Sequence, residues 1–391
     1  MPTWLFLIIA ALLSAMILEI ARLIPLLLKQ LKLEADFTLP KVAFSTQMMT
    51  KLSIIIPAKD EEEALEASVE SILASAHKDV EIILIDDRSQ DETWRIMERL
   101  RRKDRRIKTL RIGTLPAGWT GKTHAMYKGA CCASGDILLF TDADVFFSRD
   151  LIARSINYFM LNNLDMLSLI PGFRKWGFLE KSIYPHLALG ISYFYPIASV
   201  NDPDSDAAVS SGCFIMISKE AYIKVGTWDH LKDQITEDIA MSKAVKSLGL
   251  KLRVSRSELV QTKAFDNIFE LIRFWRRTFY GGLESKTIKI MRLWLNYSPL
   301  LIPFGLVLYF TVKMASASTM ATSDFILLVM SVLTIITIEI PFAIFLKHYH
   351  GNWLYTLLSP LGIFAGSWIA TSVFFIKMLN IGIEWRGSVY K

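Results

Sequence analysis

The apolar residues of this chain gather into four runs, one early and three late, and that placement constrains the fold more than any motif. A helix rises ~1.5 Å per residue, so about 20 apolar residues cross the ~30 Å hydrocarbon layer of a bilayer. Residues 4–28 make the first run, with interruptions at Glu19 and Arg22, and residues 299–312, 325–346 and 353–379 make the others. A mean hydropathy of +0.35 is too apolar for a purely soluble enzyme, and these runs hold the excess. "MPTW" carries no basic n-region, so the first run reads as an uncleaved anchor. Pro360, Gly362 and Gly366 interrupt the last run, which reads as kinked, re-entrant or two short pieces. Glu339 lies inside the third run, where a carboxylate is expected to face a neighbouring helix or the interface.

Lys29, Lys32, Lys41 and Lys51 follow the first run and nothing basic precedes it. The positive-inside rule therefore places the central region, and the loop at 347–352, in the cytoplasm. The three cysteines, Cys131, Cys132 and Cys213, fit no metal spacing or disulfide framework, which agrees with a reducing compartment. Eight Arg and Lys residues crowd positions 99–111. They read as a solvated helix end, with contact to anionic headgroups as the alternative. No aromatics interleave with them, so nucleic acid is not an expected partner.

Between the runs, strand and helix patterns alternate. "LSIIIP", "EIILID", "IKTLRI" and "DILLFT" are short apolar strands, and the stretches between them carry helical periodicity. This alternation predicts an α/β fold with a mostly parallel, Rossmann-like sheet covered on both faces. Ligands of such sheets bind beyond the carboxyl ends of the strands. Those ends read "PAKDEE", "DDRSQDET" and "TDADV", three acidic segments along one rim. Asp142 and Asp144 follow a strand expected to be buried on both faces, where unpaired carboxylates are costly. A divalent cation resolves the cost: the pair offers hard oxygen ligands to Mg²⁺ or Mn²⁺, which in turn hold a diphosphate. An Asx-turn pair capping the next helix is the plainer alternative. "GWTGKT" is not a phosphate loop, because Pro116 stands where that pattern needs glycine, but Lys122 remains a candidate diphosphate contact.

The motifs "IIIPAKDEE", "IDDRSQDET", "TDADV" and "ITEDIAMSKAVKSLGLKL", in this order, resemble membrane-bound family 2 glycosyltransferases of the GT-A fold. "GWTGKTHAMYKGA" and the tail "GIEWRGSVY" resemble segments of hopene-associated and carotenoid (diaponeurosporenoate-type) glycosyltransferases. The resemblance implies a nucleotide-sugar donor, a lipid acceptor and a bilayer partner. It divides the chain into an anchor (1–28), a catalytic domain (50–265), an amphipathic interface segment (266–296), transmembrane helices (297–380) and a tail (381–391). By the same carry-over, Pro57, Lys59, Glu61 and Asp87 hold the nucleoside, Asp142 and Asp144 the metal, and Arg276 and Arg277 the diphosphate or headgroups. Asp238 is the implied general base of an inverting transfer, although a carboxylate opening a helix also suits the helix dipole, as does Glu237.

Two positions depart from the family pattern. Asp60 replaces the usual Asn and is expected to add charge near the base or the diphosphate. Arg277 stands where polysaccharide synthases carry the Trp of Q/R-x-x-R-W, which favours a single transfer over chain extension. The apolar, aromatic stretch 184–200 suits either the headgroup zone or ordinary packing. A processive synthase and a catalytically silent nucleotide-sugar scaffold are the competing readings.

Overall fold

β1 (Leu52–Ala58) and β2 (Val80–Asp87) are buried at every position, as strands sandwiched between helices must be. β3 (Ile107–Ile112) and β4 (Ile137–Phe140) follow, then β5 (Val145–Phe147), β6 (Met166–Phe173), β7 (Ile215–Ser218) and β8 (Leu252–Thr262). The computed structural model describes residues 2–36, 39, 51–75, 80–283, 286–316, 319–348, 352–385 and 388–390. Lys41 and positions 349–351 of the predicted cytoplasmic loop lie outside the described residues.

Among the described residues these strands form one eight-stranded sheet, ordered β3-β2-β1-β4-β7-β6-β8-β5. The β3-β2-β1-β4 half is parallel. β7 runs antiparallel to both β4 and β6, β6 and β8 are parallel, and β5 closes the edge antiparallel to β8. The chain winds outward from β1 to β3 and returns to β4 on the other side of β1. That reversal opens a crevice at the carboxyl ends of β1 and β4, the topological switch point where such sheets bind ligands. Ile54, Ile56, Leu84, Leu139 and Met216 pack with Leu65, Val69 and Ile72 of the helix Leu65–Ser75 in the core beneath it.

The opposite rim is tied by one carboxylate. Glu81 accepts hydrogen bonds from Ser53 Oγ (2.6 Å), Ser134 N (2.6 Å) and Ser134 Oγ (2.7 Å), and pairs with Lys108 at 2.6 Å. Burial alone would raise its pKa, but the bonds from Lys108, Ser53 and Ser134 outweigh it and hold the group at about 2, below the ordinary 4.5. A depressed carboxylate stabilises the fold above its unfolded pKa and loses that contribution as pH falls through the folded one. Glu81→Ala is therefore expected to cost about 2 kcal/mol at neutral pH. It should also flatten the acid limb between pH 4.5 and 2, read by denaturant unfolding across pH.

The chain divides into two compact units. Glu34–Lys175 with Tyr195–Ala264 make the sheet unit, and Met1–Leu33, Trp176–Phe194 and Phe265–Lys391 the other. Among the described residues the second unit holds four helical segments long and apolar enough to cross a membrane: Thr3–Lys29, Thr287–Ala315, Thr322–His348 and Trp353–Met378. The last is one continuous helical stretch. A 3₁₀ turn, Trp353–Leu358, runs into the helix Ser359–Met378 with Pro360 in its first turn, where a missing N–H costs nothing. Gly362 and Gly366 are close-approach positions rather than breaks. A Cβ at Gly362 would sit 2.3 Å from His186 Cδ2, and one at Gly366 2.2 Å from Tyr297 Cε1.

The amphipathic segment 266–296 forms two helices. Its first part is the helix Ile268–Gly282, started by Asn267 Oδ1 accepting from Glu270 N at 3.0 Å. Its second part, Thr287–Tyr297, runs on into the second span. Residues 184–194 form the helix Tyr184–Phe194, and Tyr297 Oη donates to the His186 carbonyl at 2.6 Å, so this stretch packs within the membrane-helix unit. Glu339 faces a neighbouring helix, accepting a hydrogen bond from Ser359 Oγ. The basic segment 99–111 is laced with ion pairs: Arg99 and Lys103 to Glu66, Arg101 to Glu98, Arg106 to Asp104, and Arg111 to Asp86. Ion pairing on this scale is what a solvated helix end looks like.

Candidate active site

Two loops at the ends of β1 and β2 build one wall. Asp60 takes a left-handed backbone (φ +55°), which Asp and Asn tolerate better than most residues. Its Oδ1 accepts from Gln90 N at 2.7 Å, while its own N–H donates to Ser89 Oγ at 3.0 Å. Glu61 N donates to Thr93 Oγ1 at 2.8 Å, and Glu62 N to Asp91 Oδ2 at 3.1 Å. Asp60 thus ties loop to loop. Pro57 lies in β1, and Lys59 and Glu61 follow that strand.

Asp87 ends β2 with its side chain only 6% exposed. Its Oδ1 accepts from Arg88 Nε at 2.7 Å, and Arg88 adopts a left-handed backbone at φ +60°. Across from it, Gly121 opens the helix Gly121–Cys132, capped by Thr120 Oγ1 accepting from Thr123 N at 3.1 Å. A Cβ at Gly121 would lie 2.1 Å from Asp87 Oδ2. Gly121→Ala must therefore displace the Asp87 carboxylate. The expected result is a rise in KM for the nucleotide donor of about tenfold with a smaller change in kcat, read by steady-state kinetics.

The other wall is a cluster of charge. Lys122, in the first turn of that helix, reaches Asp142 Oδ1 at 2.6 Å and Glu237 Oε1 at 2.7 Å. Burial would lower the lysine's pKa, but the two carboxylates override it and raise the pKa far above its ordinary value. Gly212 makes the reach possible, since a Cβ there would sit 2.9 Å from Lys122 Nζ. Asp142 leaves β4, and Asp144 occupies the turn leading into β5. The Cys213 thiol lies 4.0 Å from Asp142 Oδ2, and burial beside Asp142 and Asp144 pushes its pKa well up, so it stays neutral.

Asp238 stands in the first turn of the helix Glu237–Ser247, its Oδ2 accepting from Gly212 N at 3.0 Å and its Oδ1 from Ile239 N at 2.8 Å. These bonds fix the carboxylate's direction. Lys122, Asp142, Glu237 and Asp238 are thus gathered around Gly212. Arg276 and Arg277 belong to the helix Ile268–Gly282 of the membrane-helix unit. Glu237 is the residue that sequence reasoning passed over, as a dipole-favouring carboxylate. It is buried and carries half of the lysine's charge pairing.

Among the described residues no three His, Cys, Asp or Glu side chains gather as a metal cage. Asp142 and Asp144 nonetheless fit a Mg²⁺ or Mn²⁺ ion of the kind that keeps waters and takes its remaining ligands from substrate phosphates.

A sheet of this order, with its acidic switch-point rim, is the GT-A type of nucleotide-sugar-binding fold. Residues 53–226 match the family model described as glycosyl transferase family 2. A 4,4'-diaponeurosporenoate glycosyltransferase of Staphylococcus aureus (strain USA300) is 28% identical over 254 residues, covering 62% of this chain. The match spans 65% of that relative's length. An uncharacterized glycosyltransferase of Haemophilus influenzae is 30% identical over 118 residues, 30% of this chain and 46% of its own. The mannosyltransferase PcManGT from Pyrobaculum calidifontis, solved with GDP-Man and Mn²⁺, shares the fold at a TM-score of 0.50 and 13% identity, covering 94% of this chain and 98% of its own.

Proposed function

We propose that this protein is an inverting glycosyltransferase that moves one sugar from a nucleotide-sugar donor, a UDP-sugar in the first instance, to a membrane lipid. The observation that carries the reading is the cluster at the sheet's switch point, where Lys122, Asp142, Glu237 and Asp238 converge. The four candidate membrane spans support a lipid acceptor, and the diaponeurosporenoate glycosyltransferase similarity supports an isoprenoid one. Lys29 and Lys32 after the first span, with Lys51 beyond, favour a multi-pass protein of the cell membrane with its sheet unit in the cytoplasm.

In this reading Pro57, Lys59, Glu61 and Asp87 seat the nucleoside, and Asp142 and Asp144 hold the divalent cation. When bound, Mg²⁺ or Mn²⁺ supplies the positive charge that stabilises the departing diphosphate. Asp238 takes the proton from the acceptor oxygen as that oxygen attacks the anomeric carbon and the sugar–phosphate bond breaks. The nucleoside diphosphate leaves, with Lys122 as its protein-borne counter-ion. Arg276 and Arg277 meet diphosphate or headgroup phosphates.

A panel of labelled nucleotide sugars, incubated with membranes carrying the protein, tests this. Label in a single lipid species by mass spectrometry is the expected result. Label confined to a polymer would favour a processive synthase, the reading that Arg277 in place of Trp argues against. No transfer to any product would favour a silent scaffold.

A further inference from the structure

Lys122 is held in an unusual way for a phosphate-binding lysine. Its ammonium lies 2.6 Å from Asp142 and 2.7 Å from Glu237, yet 29% of its side chain remains exposed. A lysine serving only to neutralise a structural pair gains nothing from that opening. This one sits where the cation-binding carboxylate and the solvent-facing crevice meet. The ammonium is a point charge on a flexible stem, able to exchange one anionic partner for another. Nζ lies against Gly212, where a Cβ would stand only 2.9 Å from it, so the glycine is what admits the ammonium to this position.

We propose that Lys122 is a resident cation that guards Asp142 against free metal and yields it only when a divalent ion and a nucleoside diphosphate bind together. The proposal rests on Asp142 being a metal ligand, as the function above requires. With no donor present, a divalent ion approaching Asp142 meets an ammonium already bound to it, and the two positive charges repel. A diphosphate changes the balance by offering the ammonium new anionic partners while bridging to the metal. Lys122 then leaves Asp142, and Glu237 is the carboxylate that holds the displaced ammonium beside the crevice. Linkage makes the effect reciprocal: the nucleotide raises metal affinity by the same factor as the metal raises nucleotide affinity.

The test is Mn²⁺ binding to the purified full-length protein by electron paramagnetic resonance, alone and with UDP or GDP. Wild type should bind Mn²⁺ weakly alone and at least about tenfold more tightly with the nucleotide that fits. Lys122→Met should bind Mn²⁺ alone about tenfold more tightly than wild type, and added nucleotide should then improve affinity less than about threefold. Lys122→Gln, closer in shape and polarity, should behave like Lys122→Met, so a folding defect in one variant leaves the other to decide. If both variants bind Mn²⁺ no better than wild type and keep the full nucleotide enhancement, the guarding role is wrong while the metal site stands. If wild type binds no Mn²⁺ under any of these conditions, the metal reading fails, and this proposal with it.

Discussion

Asp144→Ala should abolish Mn²⁺ binding in the presence of nucleotide and cut sugar transfer by about a thousandfold. Asp144 stands in the turn between β4 and β5, two residues beyond the lysine-paired Asp142. In the proposed site Asp144 is the second carboxylate that holds the divalent ion. Removing it deletes metal affinity without touching the Lys122–Asp142–Glu237 contacts, so the fold should survive. The thermal midpoint should move by no more than a few degrees, because Asp144 is partly exposed and not a core residue. The informative comparison is with Asp142→Ala. That variant loses a metal ligand and strands half of Lys122's charge pairing, so it should lose stability as well as activity. Wild-type rates from Asp144→Ala membranes would place the metal elsewhere and remove the basis of the donor site.

What was legible beforehand follows a physical line. The parallel strands at 52–58, 80–87 and 137–140 are built on apolar runs buried on both faces, while 107–112, at the sheet's edge, exposes Lys108 and Arg111. The antiparallel half was not legible. β5 and β7 are three and four residues long, and β8 mixes Arg253, Ser255, Arg256 and Glu258 into its length, so neither length nor period marks them. The second membrane span starts earlier than its apolar run because Lys289 and Arg292 sit in its first turns. Long basic stems reach from there to an interface without ending the helix. Within the site, the acidic rim could be read because strand ends converge in any open parallel sheet. The Lys122–Glu237 pair could not, because nothing local to either residue records a partner so distant in the chain. The bond of Asp60 to Gln90 was hidden for a related reason, since it exists only once the two loops meet.

Asp238→Asn should lower kcat by about a thousandfold and leave donor affinity unchanged, since the amide keeps the carboxylate's shape and loses its capacity to take a proton. The asparagine side-chain oxygen can still accept from Gly212 N, now 3.0 Å from Oδ2, so the loop carrying Gly212 keeps its place. A structural role for Asp238 would predict the reverse pattern, with weakened donor binding and a normal rate at saturation. The variant also reports on the acceptor. A lipid hydroxyl carries a proton at neutral pH and needs a base as its oxygen attacks. A lipid carboxylate is already ionised and needs none. A full loss with Asp238→Asn therefore points to a hydroxyl acceptor, and near-normal turnover would remove Asp238 as the base and make a carboxylate the acceptor to look for. Measuring kcat and the donor dissociation constant on the same preparation separates these outcomes, because only loss of the base changes the first without the second.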